Sequence, residues 1–283
     1  MSDIWNPYYV TEEFSVNAFY SAFIRNCKGE YFFQGETHDF WEFCYVIKGS
    51  ACMSVDDKVI RLCENQIIFH KPMEFHSLRT DDEKQTALLI VSFSALGTFM
   101  DYFKDKTFTL GHNLKQEVAR ITAYLKNISD YNDEEEMPII ALNKMTESPN
   151  GIRFFKNMVE NMLISLSAEG ESRVQIVKNS ETDIYTEALR IINSYCYEKL
   201  TVNELAHKCN VSSAYLKKIF AKYNGLGIHE YILQNKISIA KQMLSEGEPV
   251  TTVADSLGFS SQNYFSTAFK RKTGVSPSEY KVF

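Results

Sequence analysis

The sequence predicts an α+β protein in two parts: an antiparallel β-barrel or jelly roll with accompanying helices, then an all-α part of two helix-turn-helix units joined by a long helix. Two observations predict this fold class. From about residue 32 to residue 93, short runs rich in Val, Ile, Phe and Tyr alternate with turn sequences, which is typical of antiparallel sheets. From residue 202 to residue 280, one helical pattern occurs twice, which indicates two copies of a supersecondary unit.

The β-rich part contains five predicted strands of similar length. Residues 48–50 and 56–58 separate some of them and have the composition of hairpin turns. The strands are predicted at residues 40–47, 51–55, 59–62, 66–69 and 87–93. Several short strands at this spacing favour a barrel or jelly roll.

Two helices are predicted after the strands, at residues 114–128 and 151–166, because apolar residues recur there at spacings of three and four. An acidic loop around residues 130–150 separates them. The polar stretch near residues 170–180 predicts a domain boundary. We therefore divide the chain into a barrel at 1–100, a helical packing region at 101–170, a linker at 171–182 and the repeat-containing domain at 183–283.

Composition limits the class of protein. Of 283 residues, 45% are hydrophobic, which suits a folded protein, and no run approaches the roughly 20 apolar residues of a membrane helix. The N-terminus lacks the basic start and apolar run of a secretory signal, and the six cysteines form no CxxC pair. We therefore expect a cytoplasmic protein without membrane contact, whose cysteines are reduced and mostly buried.

The net charge of −6 is distributed unevenly along the chain. Residues 1–180 carry 18 basic and 26 acidic side chains, with an acidic run at 130–136, whereas residues 181–283 carry 12 basic and 10 acidic ones. The C-terminal part is therefore mildly basic, which permits contact with nucleic acid but does not by itself predict it.

The repeat has the order of a helix-turn-helix unit. Each copy begins with a short helix carrying a small inward residue, Ala206 or Ala254, and continues through a tight turn at Asn210 or Gly258. Serines then cap a second helix whose apolar residues recur at helical spacing. The copies are offset by 48 residues before these serines and by 49 after them. In such units the second helix lies in the major groove, so the repeat predicts double-stranded DNA as a partner.

A long helix is predicted between the copies, at residues 228–246, from its apolar stripe. This helix would hold the two units at a fixed separation. If that separation is near one turn of DNA, about 34 Å, both recognition helices can enter the same face of the duplex.

The run at residues 258–265 and the Gly-x-x-Pro-x-x-Tyr ending at residues 274–280 resemble the signature of the AraC/XylS family of transcription regulators. The resemblance covers about the last hundred residues. It implies a DNA-binding domain in which exposed residues of both recognition helices contact the duplex. Carried onto this sequence, the implied contacts are Ser213, Ala214, Lys217, Lys218 and Lys222 in the first unit and Ser261, Gln262, Asn263, Ser266, Thr267, Lys270 and Arg271 in the second.

The chain departs from the family pattern at two positions. Lys236 stands where the family usually has an arginine in the linking helix, and Thr267 stands where relatives often carry a basic side chain. A lysine is a point charge and a threonine reads bases ambiguously, so we expect the first unit to carry more of the direct readout. Lys270 and Arg271 are expected at phosphates, although each lysine is equally compatible with a solvated helix face.

The strand region is similar to a degenerate cupin pattern, in which His38, Glu42 and Gly49 are followed by Pro72 and His76. A cupin in front of two helix-turn-helix units is also the layout of the sugar-sensing branch of the family. The resemblance implies a barrel that binds a small-molecule effector such as a sugar. The expected effector contacts are His38, Trp41, Glu42, Tyr45 and His76, with Trp41 and Tyr45 equally compatible with the core.

Two alternatives to effector sensing remain open. The metal-bearing cupin pattern has two histidines two residues apart, a glutamate and a later histidine, and here Glu36 replaces the first histidine. Glu36, His38, Glu42 and His76 include ligand types for a divalent metal, which would favour a cupin enzyme joined to a DNA-binding domain. The broken pattern favours a non-enzymatic barrel with no metal and no other cofactor. The second alternative is a barrel that binds a protein.

We therefore predict an effector-responsive transcription regulator that acts through recruitment of RNA polymerase. The resemblance implies an activator that forms a homodimer through one of the two helices after the barrel. The sequence leaves open whether the protein activates or represses, and which of the two helices makes the dimer contact.

Overall fold

The computed structural model describes residues 14–80, 85–129, 139–172, 175–195 and 200–280. The acidic run at 130–136 and Cys196 lie outside these residues. The strands are β1 Ser15–Cys27, β2 Tyr31–Glu36, β3 Trp41–Lys48, β4 Ser50–Val55, β5 Lys58–Cys63, β6 Gln66–His70, β7 His76–Thr80, β8 Thr86–Leu96, β9 Thr107–Thr109 and β10 Gln175–Ile176.

The strands form two five-stranded antiparallel sheets. One has the order β1-β8-β3-β6-β9 and the other the order β10-β5-β4-β7-β2. The five strands expected from the sequence correspond to β3, β4, β5, β6 and β8. The predicted fold class, an antiparallel β domain followed by a helical domain, is confirmed.

A short 3-10 helix at Phe99–Phe103 follows β8. The α-helices are α1 His112–Ser129, α2 Ile140–Glu147, α3 Gly151–Ser167, α4 Ser180–Ser194, α5 Val202–Lys208, α6 Ser213–Asn224, α7 Ile228–Ser245, α8 Val250–Ser256, α9 Gln262–Thr273 and α10 Pro277–Tyr280. The helices predicted at 114–128, 151–166 and 228–246 correspond to α1, α3 and α7.

Two predictions of loop structure need correction. The predicted loop at 130–150 contains α2, because Ala141, Leu142 and Met145 pack into the core on that side of the sheet. Within the predicted linker at 171–182, β10 pairs with β5 and α4 already begins at Ser180. Asn179 caps this helix with its side chain, and its capping box satisfies free backbone groups of the first turn.

Two hydrophobic cores hold the β domain. The first lies between the β1-β8-β3-β6-β9 sheet and the helices α1 to α3, and includes Phe43, Phe93 and Phe155. The second lies between the two sheets and includes Met53 and Leu62. Side chains of one strand point alternately to the two faces of its sheet, so β3 contributes to both cores.

The two helix-turn-helix units are α5–α6 and α8–α9, and they pack around two different cores. Ser212 and Ser261 cap α6 and α9, accepting hydrogen bonds from the backbone N–H groups three residues later. The predicted turns at Asn210 and Gly258 have left-handed backbone, with φ of 55° and 64°. The first half of α7 packs on the first unit and its second half on the second unit, so this helix of about 27 Å joins them rigidly.

Within the described residues, no helix is both long enough and apolar enough to cross a lipid bilayer. The five described cysteines are not joined in disulfide bonds. Cys27 and Cys44 are buried, Cys52 and Cys209 are half-buried, and Cys63 is exposed. The expectation that the cysteines are mostly buried is therefore wrong for the described ones, because water reaches three of the five: Cys52 on β4, Cys63 at the end of β5 and Cys209 at the end of α5.

Candidate functional site

A cavity of about 290 Å³ lies between the two sheets. Its walls are largely aromatic and aliphatic, and strands of both sheets contribute to them. The apolar lining includes Tyr20, Phe23, Tyr31, Phe33, Phe40 and Met53. Apolar walls with a few converging polar groups are typical of small-molecule sites, and here the charged and polar groups are Arg25, Glu36, Glu42 and His76 together with two serines.

Four carboxylate and histidine side chains cluster at the polar end of the cavity, and they come from three strands and one loop. Glu36 ends β2, Glu42 lies on β3, His76 begins β7, and His38 lies in the loop between β2 and β3. Glu42 Oε1 lies 3.4 Å from His76 Nε2, and Glu42 Oε2 accepts a hydrogen bond of 2.6 Å from Ser92. The structure therefore brings together three of the five predicted effector contacts, His38, Glu42 and His76.

The pKa values in this cluster point to one ion pair. Burial on its own would raise the pKa of Glu42, but the adjacent His76 outweighs it and lowers the pKa to about 2. Burial would lower the pKa of His76, and the Glu42 carboxylate reverses this and raises it. Burial and the neighbouring His76 both lower the pKa of His38. Glu42 and His76 are therefore favoured as a charged pair, with His38 neutral beside them.

The prediction that Trp41 and Tyr45 contact an effector is corrected by the strand geometry. Both are buried in the core between the sheet and the helices, at 7% and 5% exposure. Glu42 and Cys44 occupy the intervening positions on β3 and face the cavity. Because adjacent side chains on a strand point to opposite faces, Trp41 and Tyr45 take the core position that the sequence left open as an alternative.

The sequence did not predict a second polar cluster, His70 and Glu74, which adjoins the cavity residue His76. His70 is fully buried, stacks on His76 at 4.1 Å between ring centroids, and shares a hydrogen bond of 2.8 Å with Glu74. Burial raises the pKa of Glu74 to about 7, although the nearby Lys71 opposes this. The signal in the sequence was weak, because His70 and Glu74 are separated by a loop and follow no strand alternation.

The predicted DNA contacts lie on the recognition helices α6 and α9, and most of them are exposed. Ser213 and Ser266 are half-buried, and Ser213 also donates a hydrogen bond to Asn203. The hydroxyl of Ser261 serves as the helix cap of α9. The exposed members are Ala214, Lys217, Lys218, Lys222, Ser261, Gln262, Asn263, Thr267, Lys270 and Arg271.

Two of these side chains are already engaged within the protein. Lys222 forms an ion pair with Glu181 on α4. The hydroxyl of Thr267 donates to the carbonyl of Asn263 one turn earlier, so toward DNA it has only acceptor capacity. Sequence reasoning also missed Tyr215 and Tyr264, which are 39% and 53% exposed at matching positions of α6 and α9. The repeat aligns these two positions, which is the signal in the sequence that could have identified them.

Lys236, at the position of the family arginine, has a structural partner. It is buried on α7, and its ammonium group donates a hydrogen bond of 2.5 Å to the carbonyl of Leu257 at the end of α8. The last carbonyls of a helix lack helical partners, so this bond fixes α8 on the linking helix. The lysine therefore holds the second unit together from the inside.

The β domain is joined to the first helix-turn-helix unit at the end of α6. The hydroxyls of Ser54 on β4 and Ser77 on β7 both donate to the carbonyl of Tyr223, at 2.6 and 2.8 Å. Phe75, just before β7, packs edge-on against Tyr231 of α7 at 4.9 Å. The β-domain residues Val59 and Phe75 belong to the same core as the first unit. The cavity and a recognition helix are thus separated by little more than β7.

A cavity-bearing β domain that is docked on two helix-turn-helix units defines a class, the DNA-binding regulators with a ligand-binding domain. Comparison with known proteins gives the family. Residues 205–282 match the model of a helix-turn-helix domain, and residues 19–134 match that of an AraC-like ligand binding domain. Both recognition helices lie within the first matched region, and the residues that line the cavity lie within the second.

Two of the similar relatives and one of the similar solved structures illustrate the match. The Msm operon regulatory protein of Streptococcus mutans is 39% identical over 105 residues, which are 36% of this chain and 38% of the relative. An HTH-type transcriptional regulator of Pseudoalteromonas carrageenovora is 31% identical over 115 residues, 41% of this chain and 68% of the relative. ToxT of Vibrio cholerae is 17% identical with a TM-score of 0.37, and the alignment covers 96% of this chain and 98% of ToxT.

The chain belongs to the AraC family of HTH-type transcriptional regulators. It spans less than two fifths of the length of the Streptococcus mutans relative. The resemblance seen in the last hundred residues of the sequence is confirmed, and so is the expectation of a ligand-binding domain in front of them.

Proposed function

We propose that this regulator changes its occupancy of DNA when a small molecule binds in the cavity between the sheets. One observation carries the proposal. His76, the first residue of β7, lines the cavity, and the next residue, Ser77, donates a hydrogen bond to the carbonyl of Tyr223 at the end of α6. A ligand that moves His76 therefore acts one residue away from a recognition helix. Such a ligand shifts the equilibrium only as far as it prefers one arrangement over the other.

The effector that we propose is a polyhydroxyl compound such as a sugar. Tyr20 and Phe40 stack at 4.0 Å and present aromatic surface to the cavity, on which the apolar face of a sugar ring can lie. Glu36 and Glu42 at the polar end accept hydrogen bonds from hydroxyl groups. The open space between the sheets favours a small ligand over a barrel that only binds protein. We propose binding without turnover, so no residue is given a catalytic role.

The DNA contacts that we propose lie on the exposed faces of α6 and α9. Gln262 and Asn263 in the first turn of α9 have side chains that pair with adenine edges. Lys270 and Arg271 at its end suit phosphates. Lys222 is left out, because its ammonium group is paired with Glu181. The remaining proposed contacts are Ser213, Ala214, Lys217, Lys218, Ser261, Ser266 and Thr267.

We further propose that the protein acts in the cytoplasm as a homodimer through α3 and contacts RNA polymerase when it activates transcription. One face of α3 packs into the core of the β domain, but Phe154 and Ile164 are 55% and 52% exposed. Large apolar side chains exposed on one helix favour a protein contact.

In the domain division that we propose, residues 1–170 form the sensing part and residues 183–283 the DNA-binding part.

The first experiment selects genomic DNA fragments with the purified full chain at about 0.15 M salt, since affinity depends on salt concentration. We expect a motif with two half-sites about one helical turn apart. A motif with one half-site would contradict the joint use of both units. Binding without any preferred sequence, and with a steep loss as salt rises, would contradict sequence-specific regulation.

The second experiment tests the effector. A panel of mono- and disaccharides is screened for a rise in melting temperature of the full chain, because a ligand that binds the folded state stabilises it. We expect the stabilising sugar to have no effect on Glu42→Gln and to keep its effect on Glu64→Gln, an exposed carboxylate in a turn of the same domain. Stabilisation that survives in Glu42→Gln would place the ligand elsewhere.

A further inference from the structure

Four side chains at the polar end of the cavity have the chemistry and the spacing of a metal site. One ligand atom from each of Glu36, His38, Glu42 and His76 lies within 4.8 Å of the corresponding atom of every other. His38, Glu42 and His76 are buried at 9%, 8% and 3% exposure, while Glu36 lies at the rim with 47% of its side chain exposed. Three of the four groups are therefore shielded from water.

Each of the two histidines uses Nδ1 for a contact with a backbone carbonyl. The other ring nitrogen, Nε2, faces the carboxylates. Nδ1 of His38 lies 2.9 Å from the carbonyl of Phe40, and Nδ1 of His76 lies 3.3 Å from the carbonyl of Glu74. A carbonyl only accepts, so Nδ1 is the protonated nitrogen of each ring and Nε2 of a neutral ring carries the lone pair. Both Nε2 atoms are buried and neither forms a hydrogen bond, although Nε2 of His76 lies within ion-pair distance of Glu42.

A backbone carbonyl that fixes the tautomer of a histidine is the usual outer support of a metal ligand. Glu42 has a comparable support, because Ser92 donates to its Oε2 at 2.6 Å and leaves Oε1 turned toward His76. Buried polar atoms without partners are rare in folded proteins and call for an explanation. Two of them that face the same pair of carboxylates have a common explanation in a bound cation.

The distances agree with one ion in the middle. His76 Nε2 lies 3.4 Å from Glu42 Oε1 and 3.9 Å from Glu36 Oε1, and His38 Nε2 lies 3.9 Å from Glu42 Oε2. Ligands held tetrahedrally at about 2.0–2.2 Å from zinc lie about 3.3–3.6 Å from one another. These three separations lie within that range or a few tenths of an ångström above it, so small rotations of the side chains would bring these atoms to coordination distance.

A second cluster in the same domain supplies an internal comparison. Asp56, Glu74 and Asp105 also approach one another closely, but the ammonium group of Lys71 forms ion pairs with all three carboxylates. That cluster contains its own cation. Histidine nitrogens take part in the cavity cluster instead, and imidazole with carboxylate suits first-row transition ions better than calcium or magnesium.

We propose that Glu36, His38, Glu42 and His76 bind one divalent first-row transition metal ion at the polar end of the cavity. The ion replaces the proton shared by Glu42 and His76 as the positive charge in the cluster. Glu36 is the ligand on the solvent side of the ion, at the rim of the cavity. A ligand in the cavity that offers an oxygen atom would then meet the ion directly. The site is independent of DNA binding and reverses the expectation from the sequence that the barrel holds no metal.

The test is a cobalt(II) titration of the full chain, freed of any affinity tag and treated with a chelator beforehand. Visible d–d absorption reports the coordination of cobalt. We expect one equivalent per chain, displaced by one equivalent of zinc. His38→Gln and Glu36→Gln should weaken binding by more than about 100-fold, and Ser92→Ala, which removes an outer support, by about 10–100-fold.

The matched control is His112→Gln, which removes an exposed histidine at the start of α1 and should leave cobalt affinity unchanged. Glu36 and His112 are at the surface, so these variants keep the fold, and circular dichroism checks this for all four. Absence of stoichiometric binding would overturn the proposal. So would equal affinity in the Glu36→Gln and His38→Gln variants, or an intense charge-transfer band from a cobalt–thiolate bond, which would move the ion to a cysteine such as the exposed Cys63.

Discussion

The two helix-turn-helix units are built alike but stand in different surroundings. In both, a serine caps the recognition helix and a glycine ends it, Gly225 in the first and Gly274 in the second, with φ of 76° and 82°. The first unit shares its core with the β domain through Val59 and Phe75. The core of the second unit contains residues of α7 to α10 alone among the described residues.

This difference shows that the repeat encodes the local fold of a unit but not its docking. The end of α6 meets serine hydroxyls and aromatic rings of the β domain, whereas a side chain added at Gly274 would meet open space. The β domain also has an electrostatic effect at the second unit, because burial raises the pKa of Tyr280 and Asp39 adds to this. The first unit is therefore the one whose core includes residues of the β domain.

The largest effect is expected from truncation of the matching core phenylalanines, Phe220 and Phe269. Both are fully buried, so Phe220→Ala and Phe269→Ala should each cost about 3–5 kcal/mol in their own unit. Phe220 packs on Tyr231, and Tyr231 packs on Phe75. We therefore expect Phe220→Ala to lower amide protection in β4 and β7 as well, and Phe269→Ala to leave those strands protected.

Hydrogen exchange followed by mass spectrometry measures this, because it resolves opening free energies segment by segment. Circular dichroism establishes that both variants retain folded β structure. The comparison between the units breaks down if Phe269→Ala deprotects β7 to the same extent as Phe220→Ala.

The glycines that end the two recognition helices give the next largest contrast. A left-handed residue with a side chain costs about 1–2 kcal/mol, and Gly274→Ala should show only this. A Cβ on residue 225 would lie 1.9 Å from Cε1 of Phe32 on β2, and such overpacking adds about 1–3 kcal/mol. Gly225→Ala should therefore destabilise the protein more than Gly274→Ala in urea titrations.

The double variant Phe32→Ala, Gly225→Ala identifies the cause. Removal of the ring removes the clash, so the two substitutions should be less than additive, as expected for residues in contact. Strict additivity would mean that α6 does not press on β2, and the docking of the first unit on the β domain would then be wrong.

Matching positions in the recognition helices sharpen the comparison at the DNA surface. Lys218 is exposed on α6, and Thr267 stands at the equivalent place on α9, where its hydroxyl is donated to Asn263. We expect Lys218→Ala to cost about 1–3 kcal/mol of binding and to relax the preference at one base position. Thr267→Ala should stay within about 0.5 kcal/mol. Affinities for a set of single-base variants of the selected site measure both, and a uniform loss in Lys218→Ala would make it a phosphate contact.

The sequence predicted those parts of the fold that have a regular local pattern. The repeat located α5, α6, α8 and α9, and short runs rich in Val, Ile, Phe and Tyr between turn sequences located five strands. β1 was missed because bulges shift its pairing with β8 at two places and interrupt the alternation of its side chains. β7 was missed because its five residues contain one apolar side chain, Leu78. A strand whose pattern is polar cannot be recognised by periodicity.

The sequence predicted some of the residues at the polar end of the cavity, because residue type and spacing are visible in a sequence and the facing of a strand is not. His38, Glu42 and His76 were recognisable from residue type and spacing, whereas the facing of Trp41 and Tyr45 depends on which side of β3 meets the helices. The junction at Tyr223 could not be predicted, because its donors are 169 and 146 residues away in the chain. Contacts of this range depend on how two domains dock, which local propensity does not determine.

The smallest effect is expected at this junction, from the two serines that share one acceptor. Ser54→Ala and Ser77→Ala each remove one hydrogen bond to the carbonyl of Tyr223 and leave the other in place, so each should cost about 1 kcal/mol of stability.

The two variants should differ in how far they weaken the effect of a cavity ligand on α6. Ser77 follows His76 directly on β7, so Ser77→Ala should weaken the effect of a cavity ligand on the protection of α6, with zinc(II) or the stabilising sugar as the probe. Ser54→Ala has the same acceptor without a neighbour in the polar cluster and serves as the matched control. Equal loss of the response in both variants would mean that the junction transmits as a whole, and that the path through β7 has no special part in it.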